Sequence, residues 1–510
     1  MSSDHPEDAT GDGGLALPLR RAGIDTYHQP VLYLHQHSPV CRAEGFEAMA
    51  RVKVTVGGRA VTATLNTVTG DWLDRDEAAL SEAAWRALAA PPGTLARFSH
   101  AEPAQSTGTL RAKVFGHRLY EPDLVGLLQD VLAARLSEIE IAAFIAVCAG
   151  ERMDLEETAA LTRAMVAVGD RIDWGEGPVL DKHCVGGLPG NRTTPIVVPI
   201  VAAHGHRIPK TSSRAITSPA GTSDVMATLT CVDLALAQLR RVVEREGGCL
   251  ASGGRMRLSP ADDVLISVER ALDIDSDGQM VASILSKKVA AGSTHVLIDM
   301  PVGPTAKVRT QAAADSIARR LGFVAEELGL RVGIHLSDGS EPVGRGIGPT
   351  LEAHDVLAVL RNAPHAPRDL RERALDVAGA VLDLAQGSLA GSNRALAAQT
   401  LASGAAERKF EAICHAQGGR FEPGRACHVT PFTARASGRV VSIDNRLLAR
   451  IAKLAGAPRD AEAGIVCTLR AGDIVDKGQP LFEVHANSRG ELAYALQFAA
   501  MRPDVVLIAD

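Results

Sequence analysis

The sequence predicts a multidomain α/β protein with an N-terminal β-domain, a small α-helical domain, a larger α/β domain and a strand-rich C-terminal domain. Three observations carry this. From Val179 to Gly253 a strand-like run, a glycine-rich loop and a helix-like run follow one another twice, the pattern of a sheet with crossover helices. From Pro122 to Val168 the apolar residues recur with helical period. Before about His100 and beyond about Ala426, short β-rich runs alternate with polar turns. At 510 residues the chain has room for about three to four domains.

In chain order, residues 1–25 are expected to form a disordered tail. Met1 to Gly14 is acidic and glycine-rich, with neither the basic nor the apolar region of a secretory signal. The β-domain is expected over residues 26–108, with strands at Val31–Leu34, Arg51–Val56 and Ala60–Asn66 and a short helix around Asp76 to Leu88. Ala89 to Gly93, with two prolines, reads as a loop. The helical domain spans residues 109–178 with 260–291. Leu124, Val125, Leu127, Leu128, Val131 and Leu132 line one helix face. Ser137 with Glu140, and Asp154 with Glu157, fit the capping box that starts a helix. The α/β domain takes residues 179–259 with 292–425. It includes a buried strand at His295–Asp299, a helix at Thr310–Leu328, a strand at Arg331–Leu336, a glycine-rich loop at Asp338–Pro349 and a helix from about Thr350. Residues 426–510 form an α+β C-terminal domain. Its run from Ala471 to Gly478 resembles the hairpin turn of biotinyl or lipoyl barrels, but without their modifiable lysine motif it reads as a structural turn.

Composition narrows the function. Hydrophobic residues are 46% of the chain and aromatics only 3%, so the cores are built mainly from Ala, Val, Leu and Ile. The net charge of −6 is spread over interspersed acids and bases without a long basic run, which argues against nucleic acid or a membrane surface as partner. The longest apolar stretch, Pro195 to Ala203, falls far short of the ~18 residues of a membrane span. Eight cysteines are scattered without C-x-x-C pairs, which points to a reducing compartment, the cytoplasm, and away from disulfides or zinc.

The two loops carry the chemistry. The first reads V-L-D-K-H-C-V-G-G-L-P-G-N (Val179 to Asn191) and the second P-K-T-S-S-R-A-I-T-S-P-A-G-T-S-D (Pro209 to Asp224). Glycine lets backbone approach a ligand closely, and free N–H groups at a helix start attract negative charge. Lys182, Ser212, Ser213, Arg214 and Thr222 add donors. Two plain βα turns have no need of clustered cations such as Lys182, His183 and Arg214, so the pair is read as a phosphate site held from two sides.

The runs D-K-H-C-V-G-G (Asp181 to Gly187), S-S-R (Ser212 to Arg214), G-T-S-D (Gly221 to Asp224) and A-S-I-L-S-K-K (Ala282 to Lys288) resemble the thymidine phosphorylase family, the pyrimidine nucleoside phosphorylases. The resemblance covers roughly Thr109 to Asp510. It implies a helical and an α/β domain flanking a cleft. The N-terminal β-domain, G-G-L-P-G-N (Gly186 to Asn191), D-M-P-V-G-P-T-A-K-V (Asp299 to Val308) and P-V-G-R-G-I-G-P (Pro342 to Pro349) look closest to the long branch that includes AMP phosphorylases and long-form thymidine phosphorylases.

What this resemblance implies can be stated residue by residue. Lys182, Cys184, Thr194, Ser212 and Thr222 line the attacking phosphate. Gly187, Ser213, Arg214, Ala215, Ile216, Thr217, Ser218, Thr222, Ser283 and Lys307 hold the nucleotide. Asp275 is the proton donor, Ser283 and Lys287 hold a pyrimidine ring, and His183 stands beside them as a further candidate. The implied reaction is phosphorolysis of an N-glycosidic bond in a nucleoside or nucleoside 5′-phosphate. Inorganic phosphate is a substrate, no cofactor or metal is called for, and a homodimer or higher homo-oligomer is expected.

That reaction sets three tasks: aiming phosphate at C1′, neutralising charge on the departing base, and excluding water. Asp275 lies in L-D-I-D-S-D (Leu272 to Asp277), where like charges and burial would raise a carboxyl pKa; alone, the run would read as a solvated turn or cap. Two positions depart from the family. Counted without gaps, Val268 stands where thymidine phosphorylases carry an arginine for the thymine carbonyls, with Arg270 nearby on a different helix face, and Cys184 replaces a phosphate-binding serine with a weaker donor. Competing readings are an anthranilate phosphoribosyltransferase-like enzyme, which would need an acidic pair such as Asp262 and Asp263 for magnesium, and a non-catalytic nucleotide sensor.

Overall fold

The computed structural model describes residues 15–509 apart from 28, 216, 217, 255, 273 and 275. The chain forms two compact units, one from the residues up to Ala112 together with Gly126–Ala143, the other from Lys113–Val125 and Phe144 onward.

The first unit is built on a closed six-stranded barrel. Its strands are β1 (Ala16–Arg21), β2 (Val31–His35), β3 (Arg51–Val56), β4 (Arg59–Val68), β5 (Ala78–Leu80) and β6 (Leu95–His100), in the order β1-β5-β2-β4-β3-β6. Alternate residues point inward, so Leu17 and Leu19, Leu32 and Leu34, and Val52 and Val54 fill the core. Two expectations are corrected here. Residues 16–21, placed in the tail, are a barrel strand that pairs with β5 and β6. The helix expected from Asp76 starts at Glu82, because Ala78–Leu80 is drawn into the barrel between β1 and β2. Ser81 marks the change: its hydroxyl accepts from Ala84 N–H as helix cap and from Val31 N–H of the barrel. Residues 1–14 of the expected tail lie outside the described residues.

The helices Glu121–Leu132, Glu138–Cys148 and Leu155–Ala167 follow the sequence pattern. Ser137 forms the full capping box, donating N–H and Oγ–H to Glu140 and accepting from Glu140 N–H. At the other site only half forms. Asp154 accepts from Glu157 N–H at 2.8 Å, but the Glu157 carboxylate instead takes Lys113 Nζ at 2.7 Å in a buried ion pair.

The second unit is organised around parallel strands β7 (Leu180–Cys184), β8 (Ile208–Ser212), β9 (Gly248–Ser252), β10 (His295–Val302) and β11 (Arg331–Asp338). β10 lies between β7 and β11, β8 pairs with β9, and the bridge Val179–Arg207 sets β8 beside β7. The spatial order is therefore β11-β10-β7-β8-β9, and the direction of winding reverses between β7 and β10. In such sheets a crevice opens outside the carboxyl ends of the two strands at the reversal. Residues of Thr194–Ala203, Pro349–Leu360 and Arg368–Gln386 form the main apolar core.

The remaining chain makes a four-stranded sheet, Gly346–Ile347, Gly464–Val466, Pro480–Ala486 and His428–Thr433, and a three-stranded one, Ile474–Val475, Gly438–Ile443 and Val506–Ala509. Gly346–Ile347 lies inside the expected glycine-rich loop, which thus pairs into the C-terminal sheet through Ile465 and Val466.

Candidate functional site

The carboxyl ends of β7, β8 and β10 carry the loops that the sequence singled out. Alternation along β7 sends Asp181 and His183 to one face, Lys182 and Cys184 to the other. Lys182 has no solvent exposure; its Nζ donates to Thr193 Oγ1 at 2.8 Å and lies 3.2 Å from Asp299 Oδ2 on β10. Asp299 is fully buried as well and also accepts from Ser337 Oγ at 3.1 Å and Asn191 Nδ2 at 3.4 Å. Burial works to raise the Asp299 carboxyl, but Lys182 and Arg373 outweigh it and hold it below its usual range. Burial and Asp299 push the Cys184 thiol up to about 11, so it stays protonated.

On the opposite face, buried Asp181 is shared by Lys288 Nζ at 2.7 Å and Lys210 Nζ at 3.2 Å. Two ammonium groups on one carboxylate leave an excess of positive charge. Burial, with Lys288 adding repulsion against the pull of Asp181, brings Lys210 down to about 7. His183 is pushed well below its ordinary value by burial and then by Lys288, Lys210, Lys182 and Lys287, so at neutral pH it is a neutral imidazole rather than a cation.

The second loop is tied at its base. Asp224 Oδ2 accepts from Ala215 N–H at 2.6 Å and Gly221 N–H at 2.9 Å. Ser212 Oγ lies 2.9 Å from Ser223 Oγ, and exposed Arg214 reaches Asp233 at 2.9 Å. Arg192 joins the two loops, donating to Thr222 Oγ1 at 3.0 Å and Ala220 O at 2.9 Å while its Nε binds Glu352 at 2.7 Å. Thr194 begins the helix after the first loop and is buried. Ser213 and Ser218 are exposed; Ile216 and Thr217 lie outside the described residues, as does Asp275.

Ser283 and Lys287 share a face one turn apart on the helix Asp277–Ala290. Both bind Asp262 Oδ2, Ser283 at 2.9 Å and Lys287 in an ion pair. Burial works against the Lys287 charge, yet Asp262 raises its pKa above the ordinary lysine value. Asp262 is thus engaged by both side chains of that helix face. Val268 is buried. Lys307 follows β10, and its backbone presses on the first loop: a Cβ on Gly187 would lie 2.2 Å from Lys307 N. The loops of β7 and β10 therefore meet at the winding reversal.

The sequence had not singled out Thr193, Asn191, Asp299, Lys210, Lys288 or Asp181 as a network, although D-K in a strand before a glycine loop hinted at buried charge. A separate cavity of about 460 Å3, lined by Trp174, Arg207 and Arg240 among others, opens at the amino ends of β7 to β9, with none of the candidate residues in its wall. Among the described residues no helix is long and apolar enough to cross a membrane.

Fold and loops define a glycosyl-transferring enzyme. The family model described as glycosyl transferase family, a/b domain, matches residues 176–407, the helical bundle domain of that family matches 108–169, and the pyrimidine nucleoside phosphorylase C-terminal domain matches 439–501. A protein named "Putative thymidine phosphorylase" from Polaromonas sp. (strain JS666 / ATCC BAA-500) is 60% identical, with 97% of both chains covered. Proteins of the same name from Hahella chejuensis (53%; 97% of this chain and 98% of that one) and Legionella pneumophila (strain Paris) (51%; 97% and 96%) match similarly. Anthranilate phosphoribosyltransferase from Thermus thermophilus shares the fold, with a TM-score of 0.50 and 21% identity over 60% of this chain and 98% of that chain. The chain belongs to the thymidine phosphorylase family of pyrimidine nucleoside phosphorylases. It is a pentosyltransferase that cleaves the N-glycosidic bond by phosphorolysis.

Proposed function

We propose that the substrate is a nucleoside 5′-phosphate and that Lys307 holds its 5′-phosphate. The observation that carries this is the contact between the Lys307 backbone and Gly187, which sets the lysine's loop against the phosphate loop at the winding reversal. Val268, buried and apolar where an arginine would read thymine carbonyls, supports the same reading.

Attacking phosphate is held by Lys182, Thr194, Ser212 and Thr222 with loop N–H groups. Lys182 spends two of its three N–H bonds on Thr193 and Asp299, leaving one for a phosphate oxygen. Cys184, a protonated thiol, contributes weakly. A phosphate oxygen bonds to C1′ as the N-glycosidic bond breaks, the electron pair passes to the base nitrogen, and Asp275 supplies its proton. Ser283 and Lys287, held by Asp262, orient the base, with neutral His183 as an uncharged hydrogen-bonding partner. Gly187 and the segment from Ser213 to Ser218 surround the sugar phosphate. The reaction calls for no metal or cofactor, and the enzyme works as a homodimer or higher homo-oligomer in the cytoplasm.

The test is base release from AMP, CMP, UMP, uridine and thymidine, with and without phosphate and EDTA, for wild type and Lys307→Ala. The expected result is phosphate-dependent, EDTA-insensitive turnover of a nucleotide. Lys307→Ala should weaken nucleotide binding by roughly 1.5–3 kcal/mol. Good turnover of thymidine alone, unchanged in Lys307→Ala, would overturn the 5′-phosphate assignment.

A further inference from the structure

Asn445 is the first residue of the C-terminal helix Asn445–Leu454, yet it does not cap that helix. Asp444 does so, its carboxylate accepting from Arg446 and Leu447 N–H. Asn445 is 1% exposed and turned toward the α/β domain. Its Nδ2 donates to Thr305 Oγ1 at 3.0 Å and to Gly339 O at 3.1 Å, and its backbone N–H reaches Thr305 Oγ1 at 3.3 Å. The amide oxygen finds no hydrogen-bond partner among the described residues, so the donor end alone accounts for burying the group.

Both partners sit in loops at the carboxyl ends of β10 and β11, and those loops are pressed together. A Cβ on Gly303 would lie 2.3 Å from Gly339 C and O, and Gly339 N–H donates to Val302 O at 2.8 Å. Two residues beyond Thr305, the Lys307 backbone presses on Gly187. A close-packed path thus runs from Asn445 through Thr305 and Gly339 to Lys307 and the phosphate loop.

We propose that Asn445 is a positioning residue through which the C-terminal domain fixes the Lys307 loop and so sets affinity for the substrate's 5′-phosphate. This rests on the assignment of Lys307 to that phosphate. Losing hold of a remote phosphate that is gripped equally in the ground and transition states raises KM and leaves kcat little changed.

The test compares wild type with Asn445→Ala, Thr305→Val and Thr305→Ser in the full chain. Steady-state phosphorolysis of the preferred nucleoside 5′-phosphate is measured together with amide hydrogen exchange of residues 303–309. Asn445→Ala and Thr305→Val should raise the nucleotide KM about tenfold, with kcat and the KM for phosphate within about threefold, and should speed exchange in residues 303–309. Thr305→Ser, which keeps the hydroxyl, should behave as wild type. Unchanged exchange overturns the proposal, as does a joint rise of both KM values with a lowered melting temperature. Should Asn445→Ala fail to fold, the Thr305 pair decides. If Lys307→Ala itself leaves nucleotide KM unchanged, the 5′-phosphate assignment has failed, and exchange alone decides whether Asn445 holds the loop.

Discussion

Gly187→Ala tests whether the meeting of the β7 and β10 loops governs catalysis. Gly187 has φ +81°, and an added Cβ would lie 2.2 Å from Lys307 N, 2.8 Å from its Cβ and 2.9 Å from its Cα. No side-chain rotation relieves contacts with backbone, so one loop must retreat by roughly 1 Å to reach ordinary van der Waals distance. A displacement of about 1 Å can cost about 10²-fold in rate, or about 2.7 kcal/mol of transition-state stabilisation. Alanine in the left-handed region adds about 1–2 kcal/mol of lost stability. Gly186→Ala separates the two effects, because Gly186 also has positive φ (+97°) but an added Cβ there meets nothing within 4 Å. Phosphorolysis kinetics and thermal melting are measured on both variants. Similar losses of stability are expected, with the hundredfold drop in kcat/KM confined to Gly187→Ala. Equal kcat/KM in the two variants would refute the argument that the Lys307 loop must sit where it does.

Asp275→Asn should lower kcat by about 10²–10⁴-fold in the base-release assay with little change in the KM for phosphate, as expected for a general acid; near-normal kcat would return the residue to the role of a polar turn. Asp262→Asn removes the negative charge shared by Ser283 and Lys287, so the substrate KM should rise and stability fall by about 2 kcal/mol in urea titrations. Unaltered KM would mean that the pair does not touch the base. Lys210, brought down to about 7 in the fold against 10.5 for a free lysine, binds a proton in the unfolded chain but not in the fold between those values. Its contribution to stability therefore rises with pH across that window and is least favourable below pH 7. Lys210→Met, which leaves Asp181 paired with Lys288, should be stabilised over wild type most at pH 6, by on the order of a few kcal/mol, and least near pH 10; a pH-independent difference in urea titrations would contradict this.

Much of the α/β framework around the candidate site was legible in the chain because its signals are local. A strand, a glycine-rich loop and a helix repeated twice specify βα units, and β7 and β8 with the helices that follow them have that form. The Ser137–Glu140 box closed as its spacing required, since all its atoms belong to one helical turn. The family follows from ordered motifs of the same kind. Short elements were not legible. Ala16–Arg21 and Ala78–Leu80 have little propensity of their own and become strands only because barrel closure supplies hydrogen-bond partners on both sides.

Charge pairing was also beyond the sequence. Asp181 with Lys210 and Lys288, Lys182 with Asp299, and Asp262 with Lys287 pair residues that lie apart in the chain, and which carboxylate meets which ammonium depends on the parallel register of β7 with β10 and the packing of two helices. The same holds for Asn445, whose partners Thr305 and Gly339 are more than 100 residues away. Sequence alone determined the family and the βα loops that bear the candidate residues. Tertiary structure decided which charges are neutralised, because in a low-dielectric interior a buried ion is tolerable only where the fold delivers its partner.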